Sequence, residues 1–274
     1  MFEDIKKRRL TLGELLRLSV AAFSRNLSGL LAVVACVYLP VNIMSEHITG
    51  FITGSAAYQD LVRAAAAGSL NPQEYIDDIG NFAPMFLMMT LIDIVFIPLS
   101  LAAYTYIADE AARGRKAAFS GILDASLMKW ARLIATYALY ALFMLIGSFL
   151  LIIPGVIMAV SMTFCVSFAA LTDKWGVSAL NESRRLIKGN WFRTLGVLFV
   201  SWLISLPVAY VLTFLKSYLP GIPLLSPAYD TLVQFPLSIF SLMPIFYFLN
   251  MRHLREGAGP GRDYTGGSPG GGDV

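Results

Sequence analysis

Residues 132–172 read "RLIATYALYALFMLIGSFLLIIPGVIMAVSMTFCVSFAALT". They form an apolar run of about 40 residues, interrupted only by "IPG" at 153–155. As one helix, at 1.5 Å per residue, the run would be about 60 Å long, roughly twice the hydrocarbon thickness of a bilayer. Proline lacks the amide donor and glycine relaxes the backbone, so Pro154 and Gly155 suit a tight turn at the far membrane surface. The run therefore reads as two membrane-crossing helices joined by a hairpin turn.

The same reading extends along the chain. Of its 274 residues, 57% are hydrophobic and 14% charged, against roughly 25% charged in soluble domains. Apolar residues gather into runs near the ~20 residues that cross hydrocarbon. Six spans are expected near 27–45, 84–108, 132–152, 155–172, 192–214 and 230–250. The fold class is all-α: a polytopic membrane bundle of three helical hairpins, each preceded by an amphipathic interfacial helix. Cys36 and Cys165 both fall inside spans and read as small buried apolar residues.

Charge sets the expected orientation. With the N-terminus, 109–132, 173–193 and the C-terminus on one side, 19 of the 21 Lys and Arg residues share it. Only Arg63 and Lys216 fall opposite. The positive-inside rule then places both termini in the cytoplasm of a multi-pass inner-membrane protein. The start "KKRR" is followed by a charged amphipathic stretch, so no cleavable signal peptide is expected. The basic side favours anionic lipid headgroups, at about 1 kcal/mol per cation near the surface. Dispersal of these cations over four segments argues against nucleic acid as a partner.

Three segments precede the odd-numbered spans. "TLGELLRLSVAAFSRN" (11–26) carries capping-box spacing at Thr11 and Glu14, with Asn26 placed to cap the first span. "SGILDASLMKWARL" (120–133) sets Ile122, Leu123, Leu127 and Trp130 on one side. In 177–188, Val177, Ala179, Leu180, Ser183 and Ile187 favour one face, and Asn181, Glu182, Arg185 and Lys188 the other. That pattern suits a helix whose apolar face meets acyl chains, its cations Arg184, Arg185 and Lys188 forming a basic rim. Gly189 can then end the helix in the left-handed conformation, Asn190 can cap the next, and Trp191 suits the membrane boundary. The return spans end alike, in "IADEAARG", "LTDKWG" and "LNMRHLREG". This reads either as a threefold repeat of hairpins about the membrane normal or as the common chemistry of Gly-capped helix ends.

The segment outside the spans, 46–83, carries Glu46, Asp60, Glu74, Asp77 and Asp78 against Arg63 alone. It is a solvated acidic cap or a mouth for a cation. A helix ending at Gly68 is expected within it, then another with Asn71 as cap and Pro72 first. The Gly-rich tail 258–274 is expected to be disordered.

"IPGVIMAV" (153–160), "SALNESRRLIKGNWFRTLGV" (178–197) and "YFLNMRHLREG" (247–257) resemble a bacterial and archaeal family, as do the opening "TLGELLRLSVAAFSRN" and "YLP" (38–40). That family comprises the membrane domain of glycerophosphoryl diester phosphodiesterases and its stand-alone six-span relatives. The resemblance spans most of residues 10–257 and implies a six-helix membrane bundle. Asn250 departs from the Asp common in the family there, which weakens an ion pair at that end. The family's phosphodiester chemistry belongs to a separate soluble barrel, which these spans leave no room for.

No Ser-His-Asp set, HExxH, zinc cluster or phosphate-cradling glycine loop is present, so neither a catalytic site, a metal site nor a cofactor is expected. The sharper candidate is Asp93, about ten residues into the second span. A carboxylate there costs at least ~2.5 kcal/mol on insertion scales and should face protein or water. Asn42, Gln234, Ser161, Thr163 and Ser167 are its candidate partners. It reads as a proton or substrate contact, or as a structural hydrogen-bonded acid. Pro40, Pro98, Pro207, Pro236 and Pro244 punctuate the spans and free carbonyls that need partners. Two functions follow: binding or helping to move lipids or other amphiphiles at the inner leaflet, or scaffolding a membrane partner or a second copy.

Overall fold

The structure, a computed structural model, describes residues 5–69, 72–218 and 225–257. Those residues are helical and turn structure without strands, and six of their helices are long and apolar enough to cross a membrane. The protein is an all-α polytopic bundle. The tail 258–274 and the expected cap Asn71 lie outside the described residues, as do the side chains of Glu74, Asp77 and Asp78.

Helix α1 (Leu12–Arg25) starts with the expected capping box: the Glu14 amide donates to Thr11 Oγ1, and the Thr11 amide to Glu14 Oε2 at 2.8 Å. Span 1 joins α2 (Leu27–Val33), a π-helical turn π1 (Val34–Tyr38) and α3 (Leu39–Gly54). Pro40 accounts for π1, since it has no N–H to give the Cys36 carbonyl one turn back and its ring crowds that oxygen. The described part of the segment beyond is largely helical. It contains α4 (Ala56–Ala66), which is followed by Gly68 in the left-handed region, and then α5 (Pro72–Ala112), whose residues from Phe82 on are span 2. Spans 1 and 2 thus reach further outward than the sequence boundaries of 45 and 84.

The second hairpin follows α6 (Phe119–Leu123) and a second π turn, π2 (Asp124–Met128). Span 3 is α7 (Trp130–Leu150), and span 4 is α8 (Ile152–Met162) with α9 (Cys165–Leu171). The turn between them is not at Pro154-Gly155. The chain reverses at the extended Leu151 (φ −172°, ψ 154°), and Pro154 sits in the first turn of α8, where no amide donor is required. Gly155 serves a close crossing instead. A Cβ there would lie 3.0 Å from Ser148 Cα, and one at Gly147 would lie 3.1 Å from Gly155 Cα, so two glycines let the hairpin arms touch backbone to backbone. Helix α10 (Val177–Ile187), span 5 α11 (Trp191–Lys216) and span 6 α12 (Leu225–Gly257) complete the chain.

Burial separates the spans into two layers. In spans 4 and 6, 56% and 44% of the apolar window is buried, against 17%, 17% and 11% in spans 1, 3 and 5, with span 2 between at 28%. The return spans are the inner helices. Near the basic end their centre is filled by aromatic packing, with Phe248 centred 5.3 Å from Phe164 and 5.0 Å from Phe168. Polar side chains link neighbouring spans: Thr105 with Ser167 at 3.0 Å, Asn42 Nδ2 donating to Thr231 Oγ1 at 3.0 Å, and Tyr38 Oη to Ser100 Oγ at 3.3 Å. At Pro244 the freed carbonyl is that of Phe240, and Ser201 Oγ of α11 donates to it at 2.6 Å.

The interfacial helices pack in cyclic order. The α6–π2 helix lies on span 2, α10 on span 4, and α1 on span 6, so each rests on the return span of the hairpin before it. This corrects the expectation that α10 turns its apolar face to acyl chains. Ala179, Leu180, Ser183, Leu186 and Ile187 are buried against α7, α8 and α9, because a stripe of that width is covered better by three helices than by lipid tails. Val177 stays exposed. The expected apolar side of α6–π2 is likewise divided: Ile122 is buried, whereas Leu127 and Trp130 are 52% and 57% exposed.

Two capping expectations are also corrected. Asn26 makes no cap bond; its Oδ1 accepts from the Ala117 amide (3.0 Å) and its Nδ2 donates to the Ala22 carbonyl (2.9 Å), tying α1 to the loop after span 2. Asn190 makes no side-chain cap bond either; Thr194 Oγ1 donates to its carbonyl at 3.0 Å. Gly189 does adopt the expected positive φ, +83°.

Candidate functional site

The basic end carries the most elaborate polar chemistry. Its N-terminal strap, residues 5–10, is gripped by Asn250, which is 1% exposed. Asn250 Nδ2 donates to the Ile5 and Arg8 carbonyls at 2.7 and 2.8 Å, and its Oδ1 accepts from the Leu10 amide at 3.2 Å. Only an amide side chain both gives and takes in this way. Arg193 Nη2 donates to the Leu10 carbonyl at 2.8 Å while its guanidinium lies 5.8 Å from the centre of the Tyr247 ring. Arg8 pairs with Glu14, holding that carboxyl down at about 2. These holds of Asn250 and Arg193 on the strap are contacts that sequence reasoning missed.

A cavity of about 310 Å³ opens where α9, α10 and α12 meet. Phe168 and Leu186 form its apolar floor; Lys174, Glu182, Arg252, Arg255 and Glu256 form its lip. Lys174 follows the end of span 4, where Thr172 Oγ1 accepts from its amide at 3.2 Å. Its Nζ donates to Glu182 at 2.7 Å, and Arg185 approaches the same carboxylate at 3.7 Å. Lys174 foremost, with help from the Lys174 and Arg185 charges, holds the Glu182 carboxyl below its ordinary range. Arg252 Nε donates to Glu256 at 2.8 Å, and His253 Nδ1 lies 3.7 Å from the other oxygen of that carboxylate.

The expected basic rim is thus split. Arg184, Arg185 and Lys188 are all exposed, yet only Arg185 reaches the cation–carboxylate cluster of the cavity. The lip draws its other cations from the ends of spans 4 and 6, Lys174, Arg252 and Arg255, which sequence alone does not bring together. Their one sequence signal is that the two return spans finish alike. Trp191 is half-buried and packs edge-on to Phe192 at 5.1 Å; among the described residues its indole N–H has no partner.

Asp93 does not face the bundle interior. Ile92 and Leu99, seven residues apart on α5, are buried and define its inward face, so the neighbouring position points out and Asp93 is exposed. Two of its expected partners are engaged elsewhere: Asn42 by Thr231 and Ser167 by Thr105. Tyr137 of α7 is its electrostatic neighbour. Among the described residues, no three His, Cys, Asp or Glu side chains converge to hold a metal ion.

A second cavity, of about 170 Å³, lies towards the same end. It is a slot between span 1, span 2 and the α6–π2 helix, lined by Ala32, Cys36, Val37, Phe96, Ala103 and Leu123 among others.

Residues 116–245 match a family described as a domain of unknown function (DUF7847). The match takes in just under half of the chain, from the second interfacial helix into span 6, and so includes Lys174 and Glu182 but stops before Asn250, Arg252 and Arg255. No curated protein and no solved structure matches the chain.

Proposed function

We propose that the protein is a non-enzymatic component of the cytoplasmic membrane that binds, or helps to move, lipids or other amphiphiles at the inner leaflet, with both termini in the cytoplasm. The observation that carries this reading is the apolar slot beside span 1. It lies in the half of the bundle nearest the basic end, it is walled by two spans and an interfacial helix, and its lining is hydrocarbon apart from Cys36 and Ser126. An acyl chain is the ligand of matching chemistry in a membrane, and the nearby cations favour an anionic headgroup above it. The aromatic centre of the inner spans supports binding at the flank over conduction through the middle.

The test is photo-crosslinking in nanodiscs with a phospholipid carrying a diazirine in its acyl chain. Label is expected to concentrate on residues 32–37 and 96–103, and Ala32→Trp, which fills the slot, should disperse it. Label spread evenly over all lipid-facing helices would sink the proposal. A second reading, a scaffold for a membrane partner or a second copy, draws on the outward Asp93: a carboxylate at that depth is satisfied by a donor from another helix. In that case cross-links would gather around Asp93 and join polypeptides.

A further inference from the structure

We infer that the cavity between α9, α10 and α12 is a binding site for a phosphate group, with Arg252 and Arg255 as its principal donors. It shares no lining residue with the acyl slot, so the inference stands whether or not a chain occupies that slot.

The charges decide the sign of the ligand. Four cations (Lys174, Arg185, Arg252, Arg255) surround two carboxylates (Glu182, Glu256), and each carboxylate is already taken. Glu182 is engaged by Lys174 and Arg185, and Glu256 by Arg252. A pair of cations is left over, and the region is therefore electropositive. Free carboxylates would repel an anion, whereas these act on the cations and hold them in place.

The donors decide the shape of the ligand. Arg252 spends only its Nε on Glu256, which leaves the two terminal nitrogens of the fork to face the cavity. Arg255 makes no hydrogen bond or ion pair with any described residue, although it lies within the electrostatic reach of Glu182. Lys174 gives one of its three protons to Glu182. Two forked guanidinium groups beside an ammonium suit a tetrahedral oxyanion better than a planar carboxylate, because several acceptor oxygens are needed to use them. The apolar floor of Phe168 and Leu186 adds contact for whatever bears the phosphate.

Two sources fit this chemistry, a lipid headgroup and a water-soluble phosphate, and the experiment separates them. Calorimetric titration of the detergent-solubilised full chain is run with inorganic phosphate in one arm and with a short-chain phosphatidic acid in the other. Binding in both arms with similar affinity identifies a soluble phosphate; binding of the lipid alone identifies a headgroup. In either case Arg255→Gln is expected to weaken binding about tenfold or more, as loss of a charge-assisted fork does. Arg255→Lys should restore part of it. Arg184→Gln, on an exposed cation outside the lip, should leave affinity unchanged. Absence of binding in both arms, or equal losses in the Arg255 and Arg184 variants, overturns the inference. The acyl proposal would survive that result, since its cross-linking is read at other residues. Thermal unfolding at the wild-type temperature certifies that each variant is folded; should Arg255→Gln unfold, Lys174→Gln takes its place with the same expected direction.

Discussion

Replacing Asn250 with Ala removes three hydrogen bonds at once. The carbonyls of Ile5 and Arg8 and the amide of Leu10 lose their partner at a position 1% exposed. Each such bond contributes roughly 1 kcal/mol net, and more where the abandoned group stays buried, so the strap loses about 3–5 kcal/mol of its hold. The six spans do not depend on these bonds, so the loss appears as local opening of residues 5–10. At tenfold per 1.4 kcal/mol, the open population rises by about a hundredfold or more. The strap carries its own reporter, the trypsin sites Lys6, Lys7, Arg8 and Arg9. When opening and closing are fast, cleavage tracks the open population. The initial rate of cleavage after these residues should rise by that factor in N250A, while circular dichroism shows the helices intact. N250D should behave as badly, because a carboxylate would set an acceptor 2.7 and 2.8 Å from two carbonyl oxygens. An unchanged cleavage rate in a folded N250A protein would refute the assignment of Asn250 as the latch.

The other expectations are briefer. Gly155→Ala, whose Cβ would meet the Ser148 backbone at 3.0 Å, should destabilise the second hairpin by about 1–3 kcal/mol, read as a lower thermal unfolding midpoint in detergent. Ser201→Ala leaves the Phe240 carbonyl without its donor and should cost about 1–2 kcal/mol, whereas Ser201→Thr, which keeps the hydroxyl, should cost less. The folded Glu14 carboxyl is depressed to about 2 from 4.5, with the Arg8 hydrogen bond the largest cause, so its contribution is whole above pH 4.5 and lost as pH falls towards 2. Strap opening, read by amide exchange at Leu10, should therefore rise across that window and lose the dependence in Glu14→Gln. Asp93→Leu should raise membrane insertion, since a central Asp costs at least ~2.5 kcal/mol, and should leave phosphate binding intact; impaired insertion would contradict its outward placement.

The spans were legible because run length and charge act locally. A 40-residue apolar stretch has no other way to fit a bilayer, and Thr11 and Glu14 sit at the spacing their mutual bonds require. What was not legible depends on which helix lies beside which. The amphipathicity of α10 was read correctly, but periodicity says only that a face is apolar, not whether lipid or protein covers it. Asp93 was found by its charge, yet its direction is set by the phase of α5 against its neighbours, and one residue is a turn of 100°. Asn26 had the right chemistry at the right place and spent it on a loop 91 residues away, while at Asn190 it is the main-chain carbonyl, not the side chain, that takes a bond, from Thr194. The cavity lip unites Lys174 with Arg252 and Arg255 from the end of another span, a pairing that only the folded chain makes.

The cyclic seating of the interfacial helices imposes an order on biosynthesis. Helix α1 is translated first, but its seat on α12 is translated last, and the bond from the Leu10 amide to Asn250 spans 240 residues. At roughly 5–20 residues per second, Leu15, Leu18 and Ala22 wait on the order of ten to fifty seconds without their partner. Through that interval the nascent chain carries an apolar stripe without its largest cover. A stop codon that removed the end of span 6 would make part of that wait permanent, since Asn250 and its hold on residues 5–10 would be gone while the Phe23–Phe235 contact remained.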